Sequence, residues 1–465
     1  MKPDLEQEKA AKYTNGHSLI IAGAGSGKTT TLLLKVDYLI NSGIKENEIL
    51  VISFTNETVN NFINKCKYKI DVMTFHKLAN TVIKSKKDIV GRELLEDCIK
   101  EFFTKIPHKL KKKIFHSFYT LIFTKRGYYK KTNTFTTEAI ITYFYSAINQ
   151  LRANNIDLDN ININDFNNRE KIAVFCIRNI IRYYNSVLKN NDLIDFDNLI
   201  TEATINIKNN KYKSRYKHIL VDEYQDISKL RLDFLKALIN SNNSVLTAVG
   251  DDFQAIYGFN GSKIDLFYDF EKHFKNAKIF YISTSYRCPR RILKIAGNFI
   301  MKNPYQIKKE MKANSKIKGK IVKIISRGLN SDLIKVIRKY RKSKYSVLIL
   351  GRNGFDINFY IKKKNSVDNT YIIYKNKVCK NIRYLTIHKS KGLEADIVVL
   401  INLSADLNGF PRAEINEIVK KLIKTNETYE YAEERRLMYV ALTRCKIKAI
   451  LIINRSAVSP FIKEL

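Results

Sequence analysis

Tryptophan is absent from this 465-residue sequence, and only 6 prolines and 17 glycines punctuate it. The lack of Pro, Gly or Ser tracts excludes long flexible linkers and low-complexity classes, so compact, contiguous domains are expected. Cysteine is scarce too. Cys66, Cys98, Cys176, Cys288, Cys379 and Cys445 stand singly, with no CxxC pair and no His at ligand spacing. That pattern argues against a zinc site or a disulfide framework and fits a reducing compartment. No run approaches the roughly 20 apolar residues of a membrane span. The opening MKPDLEQEKAAKYTNG is polar and mixed in charge, unlike a signal peptide or anchor. A soluble, cytoplasmic protein without a membrane partner is expected. Negative charge is also short: Asp+Glu 45 against Lys+Arg 82 leaves a net charge of +37. Such self-repulsion usually faces a polyanion, nucleic acid first. An AT-rich genome also raises Lys, Asn, Ile and Tyr, so charge alone does not decide the partner.

What the chain does contain is length for two to four domains and a recurring texture. Short apolar runs lie at 18–23, 49–55, 218–223, 245–251, 346–352 and 396–403, most leading into helix-like segments. Strands buried on both faces of a parallel sheet read this way. Between 77 and 190 the pattern turns helical, as in RELLEDCIKEFF (92–103) and KIAVFCIRNIIRYYNSVL (171–188). This insertion carries Lys109, Lys111, Lys112 and Lys113, then KRGYYKK (125–131), where cations interleaved with tyrosines suit backbone neutralisation plus base stacking. A solvated helix face with core tyrosines reads equally well. A second basic stretch, 301–345, sets fifteen Lys or Arg against Glu310 and Asp332 and shows no obvious chemistry.

Two segments carry recognisable chemistry. AGAGSGKTT (22–30) follows a strand and opens a helix. Gly23, Gly25 and Gly27, with Ala24 and Ser26 between them, let the backbone N–H groups wrap phosphate oxygens at a helix N-terminus. Lys28 would reach the β- and γ-phosphates of ATP, and the Thr29 hydroxyl would hold Mg²⁺. The strict pattern has Gly where Ala22 stands. ILVDEYQD (219–226) adds an acidic pair at a strand end: Asp222 for Mg²⁺, Glu223 to orient and deprotonate water. Together they read as an ATP-hydrolysis site.

The ordered set of further segments resembles the superfamily 1 helicases of the UvrD, Rep and PcrA type. FTNET (54–58) is similar to that family's TFTNKAA and TFHKLA (74–79) to its TFHGLA; DFDNLI (195–200) precedes the acidic strand. VGDDFQAIYGFNGS (249–262) resembles VGDDDQSIYGWRGA, and SYRCPRRIL (285–293) the NYRS motif. LTIHKSKGLEADIVVLINL (385–403) resembles TLHSAKGLEF, and EERRLMYVALTRC (433–445) resembles EERRLAYVGVTRA. The resemblance implies two RecA-like α/β motor domains with ATP between them. Gln7 would read adenine, Tyr286 stack on it, and Glu394 touch the ribose. Gln254 would sense the γ-phosphate, with Arg287 and Arg444 as arginine fingers. Phe54, Thr55, Asn56, Thr74, Phe75, His76, Tyr257, Phe259 and His388 would line single-stranded DNA. From the residues alone these aromatics and histidines also read as core, and the arginines as surface or packing groups.

Three departures stand out. Asn260 occupies the family's Arg position and removes a fixed cation, Phe259 replaces Trp, and Thr30 stands where Arg is common. Only residues 294–384 separate two motifs that in full-size relatives flank the 2B subdomain. The expected organisation is a first motor domain of 1–76 and 191–278, a helical 1B-like insertion at 77–190, and a second motor domain at 279–465 without 2B. A nuclease domain is not expected, because the sequence ends 21 residues after Arg444. The resemblance implies an ATP-dependent, 3′-to-5′ translocase or helicase on single-stranded DNA or partial duplex. A DNA-stimulated ATPase serving as sensor or switch for a nuclease or repair protein, as in antiphage systems, is the alternative. Monomer or dimer stays open.

Overall fold

The computed structural model describes residues 3–465 apart from 124–132, 327, 362–365, 369, 407 and 413–416. Two parallel sheets organise the chain. The first has six strands in the order Asp71–Thr74, Ile49–Ser53, His218–Val221, Val245–Gly250, Ser18–Ala22 and Lys278–Ile282, all paired parallel. Four of them are the apolar runs expected from sequence. The strands Ser18–Ala22, Ile49–Ser53 and His218–Val221 are buried at every position because helices cover both faces. Each fully buried Ile, Leu or Val there contributes about 1.5–3 kcal/mol.

The second sheet has seven strands in the order Lys320–Ser326, Cys445–Asn454, Ala395–Leu403, Val347–Gly351, Lys377–Thr386, Tyr371–Tyr374 and Ser366–Asp368. Its first five strands run parallel, and the last two form an antiparallel extension. This is the paired RecA-like α/β architecture.

The boundaries differ from the expected ones in three places. A division at 278/279 falls inside the strand Lys278–Ile282, which pairs with Ser18–Ala22 and so belongs to the first sheet. The helix Phe75–Ile83 spans the expected start of the insertion, yet Phe75, Leu78, Ala79 and Val82 are buried in the first core. Within the insertion, Asp88–Val90 is a short strand paired with Leu193–Asp195. Its three residues are too few for a periodicity to show.

Helices Arg92–Lys105, His108–Phe123, Asn133–Ala153 and Asn168–Asn190 build the insertion around their own core, including Leu95, Ile99, Phe144, Ile148 and Ile177. Ile418 and Val419, from the helix Glu417–Ile423 of the second unit, are buried in that same core. Lys109, Lys112 and Lys113 are exposed; the basic-aromatic segment 125–131 lies outside the described residues. Among the described residues no helix is long and apolar enough to cross a membrane.

Candidate nucleotide site and nucleic-acid face

The phosphate loop joins the strand Ser18–Ala22 to the helix Lys28–Asn41. Gly25 and Gly27 take φ of +73° and +83°, a region that side chains disfavour, which is why the turn needs glycine. Ser26 closes the loop by donating from Oγ to the Gly23 carbonyl at 2.8 Å. Gln7, expected at adenine, donates from Nε2 to the Ser26 carbonyl at 2.9 Å and so braces the loop. Tyr286 donates to Asp4 at 2.8 Å, and Asp4 also caps the helix that carries Gln7. The two residues assigned to adenine are thereby brought to one end of one short helix. Thr29 is partly exposed in the first helical turn and Thr30 is exposed beside it.

Asp222 and Glu223 follow the strand His218–Val221. Glu223 sits at φ +54°, an uncommon backbone conformation that turns the chain sharply after the strand. Its carboxylate faces the Lys28 ammonium at 3.3 Å and Lys391 at 3.7 Å, and accepts from Gln225. Burial would raise its pKa, but Lys28 and Lys391 outweigh that and hold it near 2. Asp222 behaves oppositely: burial, then the Glu223 charge, pushes it up to about 7. A bound divalent cation would offset that desolvation. The Thr29 hydroxyl and the Asp222 carboxylate are hard oxygen donors of the kind Mg²⁺ takes together with nucleotide phosphates, so the residues present fit the ion.

The second unit reaches this site with cations. Arg444 is 1% exposed and donates from Nη2 to Gln254 Oε1 at 3.0 Å. Burial first, then Arg287, pulls its pKa down to about 10. Gln254 in turn donates to Asp251 at 2.6 Å. Arg287 pairs with Glu394 at 2.8 Å, so the expected finger and the expected ribose contact hold each other. Lys391, in the HKSKGLE segment, was not singled out from sequence. It is buried between Glu223 and Asp226 and donates to the Gln254 carbonyl at 2.9 Å. Its position three residues after a histidine, in the basic run HKSK, gave no sign of burial.

The expected nucleic-acid residues fall into two groups. Thr55 and Thr74 cap the helices Asn56–Ile63 and Phe75–Ile83 at the carboxyl ends of neighbouring strands. Asn56 is exposed there, Phe54 half-buried beneath Arg231, and His76 packs on the exposed Phe196 ring at 4.7 Å. Phe75 is a correction. Its side chain is 1% exposed, because it points into the first core as the helix begins, and it lines no surface. In the second group Tyr257, Phe259 and His388 form an aromatic cluster, with Phe259 edge-on to His388 at 5.2 Å. Phe259 is 43% exposed, and Tyr257 donates to the His388 carbonyl at 3.3 Å. Burial, with Arg352 and Lys391 nearby, keeps His388 neutral by lowering its pKa to about 3. Asn260, also exposed, ends the turn that carries Phe259.

A glycine-wrapped phosphate loop, an acidic pair and cations from a second parallel sheet define a P-loop NTPase built of two RecA-like units. The UvrD/REP helicase N-terminal domain family matches residues 4–275, and the UvrD-like helicase C-terminal domain family matches residues 356–456. DNA helicase IV of Escherichia coli (strain K12) is 30% identical over 99% of this chain and 70% of its own length. ATP-dependent DNA helicase Rep of Buchnera aphidicola subsp. Acyrthosiphon pisum is 28% identical over 91% of this chain and 60% of its own. ATP-dependent DNA helicase PcrA of Staphylococcus epidermidis is 29% identical over 64% of this chain and 40% of its own. The chain belongs to the UvrD/REP helicase family.

Proposed function

We propose that this chain is an ATP-dependent translocase and helicase that moves 3′ to 5′ along single-stranded DNA in the cytoplasm and hydrolyses ATP between its two RecA-like units. One observation carries the reading. Gln254, bonded to Arg444 of the second unit, stands only three residues before Tyr257 and five before Phe259. A change at the γ-phosphate is therefore transmitted along one short segment to a base-stacking surface. The phosphate loop and Lys28 bind the nucleotide, and Thr29 and Asp222 would hold Mg²⁺, which would supply further neutralisation of phosphate charge. Lys28 now masks Glu223; phosphates that draw Lys28 away leave Glu223 free to accept a proton from water. Arg444 and Arg287 then balance charge on the transferred group, the step at which positioning and electrostatics dominate catalysis.

A second reading, a DNA-stimulated ATPase that acts as a sensor or switch for a nuclease or repair protein, is favoured by one feature. The described residues between Arg287 and His388 form strands of the second sheet, helices packed with it and a return segment against the first unit, with no separate subdomain among them. ATP turnover with and without single-stranded DNA, measured beside strand displacement on 3′-tailed and 5′-tailed partial duplexes, separates the readings. Stimulated turnover with displacement of the 3′-tailed duplex alone is expected. Stimulated turnover without displacement selects the switch, and turnover indifferent to DNA sinks both.

A further inference from the structure

After the helix Arg290–Ile300 the chain returns to the first unit before entering the second sheet. Ile307 N–H donates to Asp252 Oδ2 at 2.9 Å. Lys312 N–H donates to the Ser283 carbonyl and Asn314 N–H to that of Ser285, each at 2.9 Å. Met311 lies so close to Gly23 that a Cβ on that glycine would sit 2.2 Å from its Cε. The segment thus touches both the phosphate loop and the stretch that bears Gln254.

Lys309 is the side chain this return delivers. It lies within the basic stretch 301–345, which showed no obvious chemistry in the sequence. Its side chain is 5% exposed and ion-paired with Asp251 and Asp252, both fully buried, and its ammonium stands 3.9 Å from the centre of the Phe253 ring. Three charged groups out of water are unfavourable unless they are well paired, so the arrangement invites a reason. Burial favours the neutral amine, but the two carboxylates outweigh it and keep Lys309 protonated. The bonding supplies the reason. Lys309 holds Asp251 Oδ1, Asp251 Oδ2 accepts from Gln254 Nε2 at 2.6 Å, and Gln254 Oε1 accepts from Arg444 at 3.0 Å. Fixing the carboxylate fixes which end of the Gln254 amide faces Arg444.

We infer that Lys309 is a positioning residue that acts through Asp251 to orient Gln254 toward Arg444, coupling the two units during DNA-stimulated ATP turnover. The inference rests on the function proposed above. Lys309→Met removes the cation at similar length, whereas Lys309→Met with Asp252→Asn removes one charge of each sign. The double variant leaves the net charge of the pocket unchanged and so protects folding, which a thermal-melt measurement verifies. The readouts are kcat and KM for ATP with and without single-stranded DNA. The ratio of DNA-stimulated to DNA-free kcat is expected to fall at least about tenfold in the folded double variant, as a displaced positioning group predicts. KM for ATP should stay within about threefold, the signature of lost transition-state rather than ground-state contacts, and Lys309→Arg should recover most of the ratio. A wild-type ratio in the double variant overturns the inference, as does a KM that rises in step with the lost kcat. A wild-type protein that DNA does not stimulate overturns the proposed function and this inference together. A stimulated wild type with an unaffected double variant overturns the inference alone.

Discussion

The two units contribute to the nucleotide site in different ways. In the first, Lys28, Asp222 and Glu223 stand just beyond the carboxyl ends of buried parallel strands, and Lys28 and Glu223 already face each other. In the second, the reaching groups sit in connections, Lys391 in a short turn and Arg444 between the helix Ala432–Leu442 and the strand Cys445–Asn454, while Arg287 lies on the crossing between the units, just before a helix. Of the two arginines expected as fingers, Arg444 touches Gln254, while Arg287 is held by Glu394. The difference teaches where control lies. In the proposed function the first unit holds the hydrolytic groups at strand ends, and the second gates them through cations that must be correctly placed.

Breaking each side of this comparison should give separable results. Glu223→Gln removes the base from the first unit and should lower turnover on the order of 10⁴-fold, the top of the general-base range, with ATP binding intact by nucleotide titration. Near-normal turnover would refute the role of Glu223. Arg444→Ala removes the contact from the second unit and should cost on the order of 10³-fold in DNA-stimulated turnover, while DNA binding by fluorescence anisotropy is retained. Lost DNA binding would instead make Arg444 part of the strand surface. Phe259→Ala tests the output side: it should weaken single-stranded DNA binding by about 1–3 kcal/mol and leave DNA-free ATP turnover in place. An unchanged affinity would assign Phe259 to packing against His388.

Legibility followed the distance over which each feature is determined. The phosphate loop and the acidic pair are contiguous, and their roles follow from glycine geometry and carboxylate chemistry within a few residues. The buried strands were legible because burial on both faces leaves continuous apolar runs. The strand Lys320–Ser326, exposed in part at a sheet edge, and the strand Asp71–Thr74 lacked that signature. Phe75 was misplaced because a motif gives residue order and not the direction of a side chain at a helix start. Lys309 and Lys391 were invisible as buried groups, since their carboxylate partners lie 58 and 165 residues away in sequence. The fold's cores are written locally, while the ion pairs that join its units are written only in three dimensions.

One feature of the first sheet has a mechanical meaning. The strand Lys278–Ile282 lies beside the phosphate-loop strand, and five residues later the chain has become Arg287. Those residues, even fully stretched, span roughly 17 Å. They are clasped to the loop as well, through Ser285 Oγ to the Ala24 carbonyl at 2.6 Å and Tyr286 N–H to the Gly25 carbonyl at 2.8 Å. In the proposed function, that clasp tethers Arg287 beside the phosphate loop and gives it a high effective concentration there. Arg444 has no such leash, so under the same proposal its bond to Gln254 reports whether the two units are engaged.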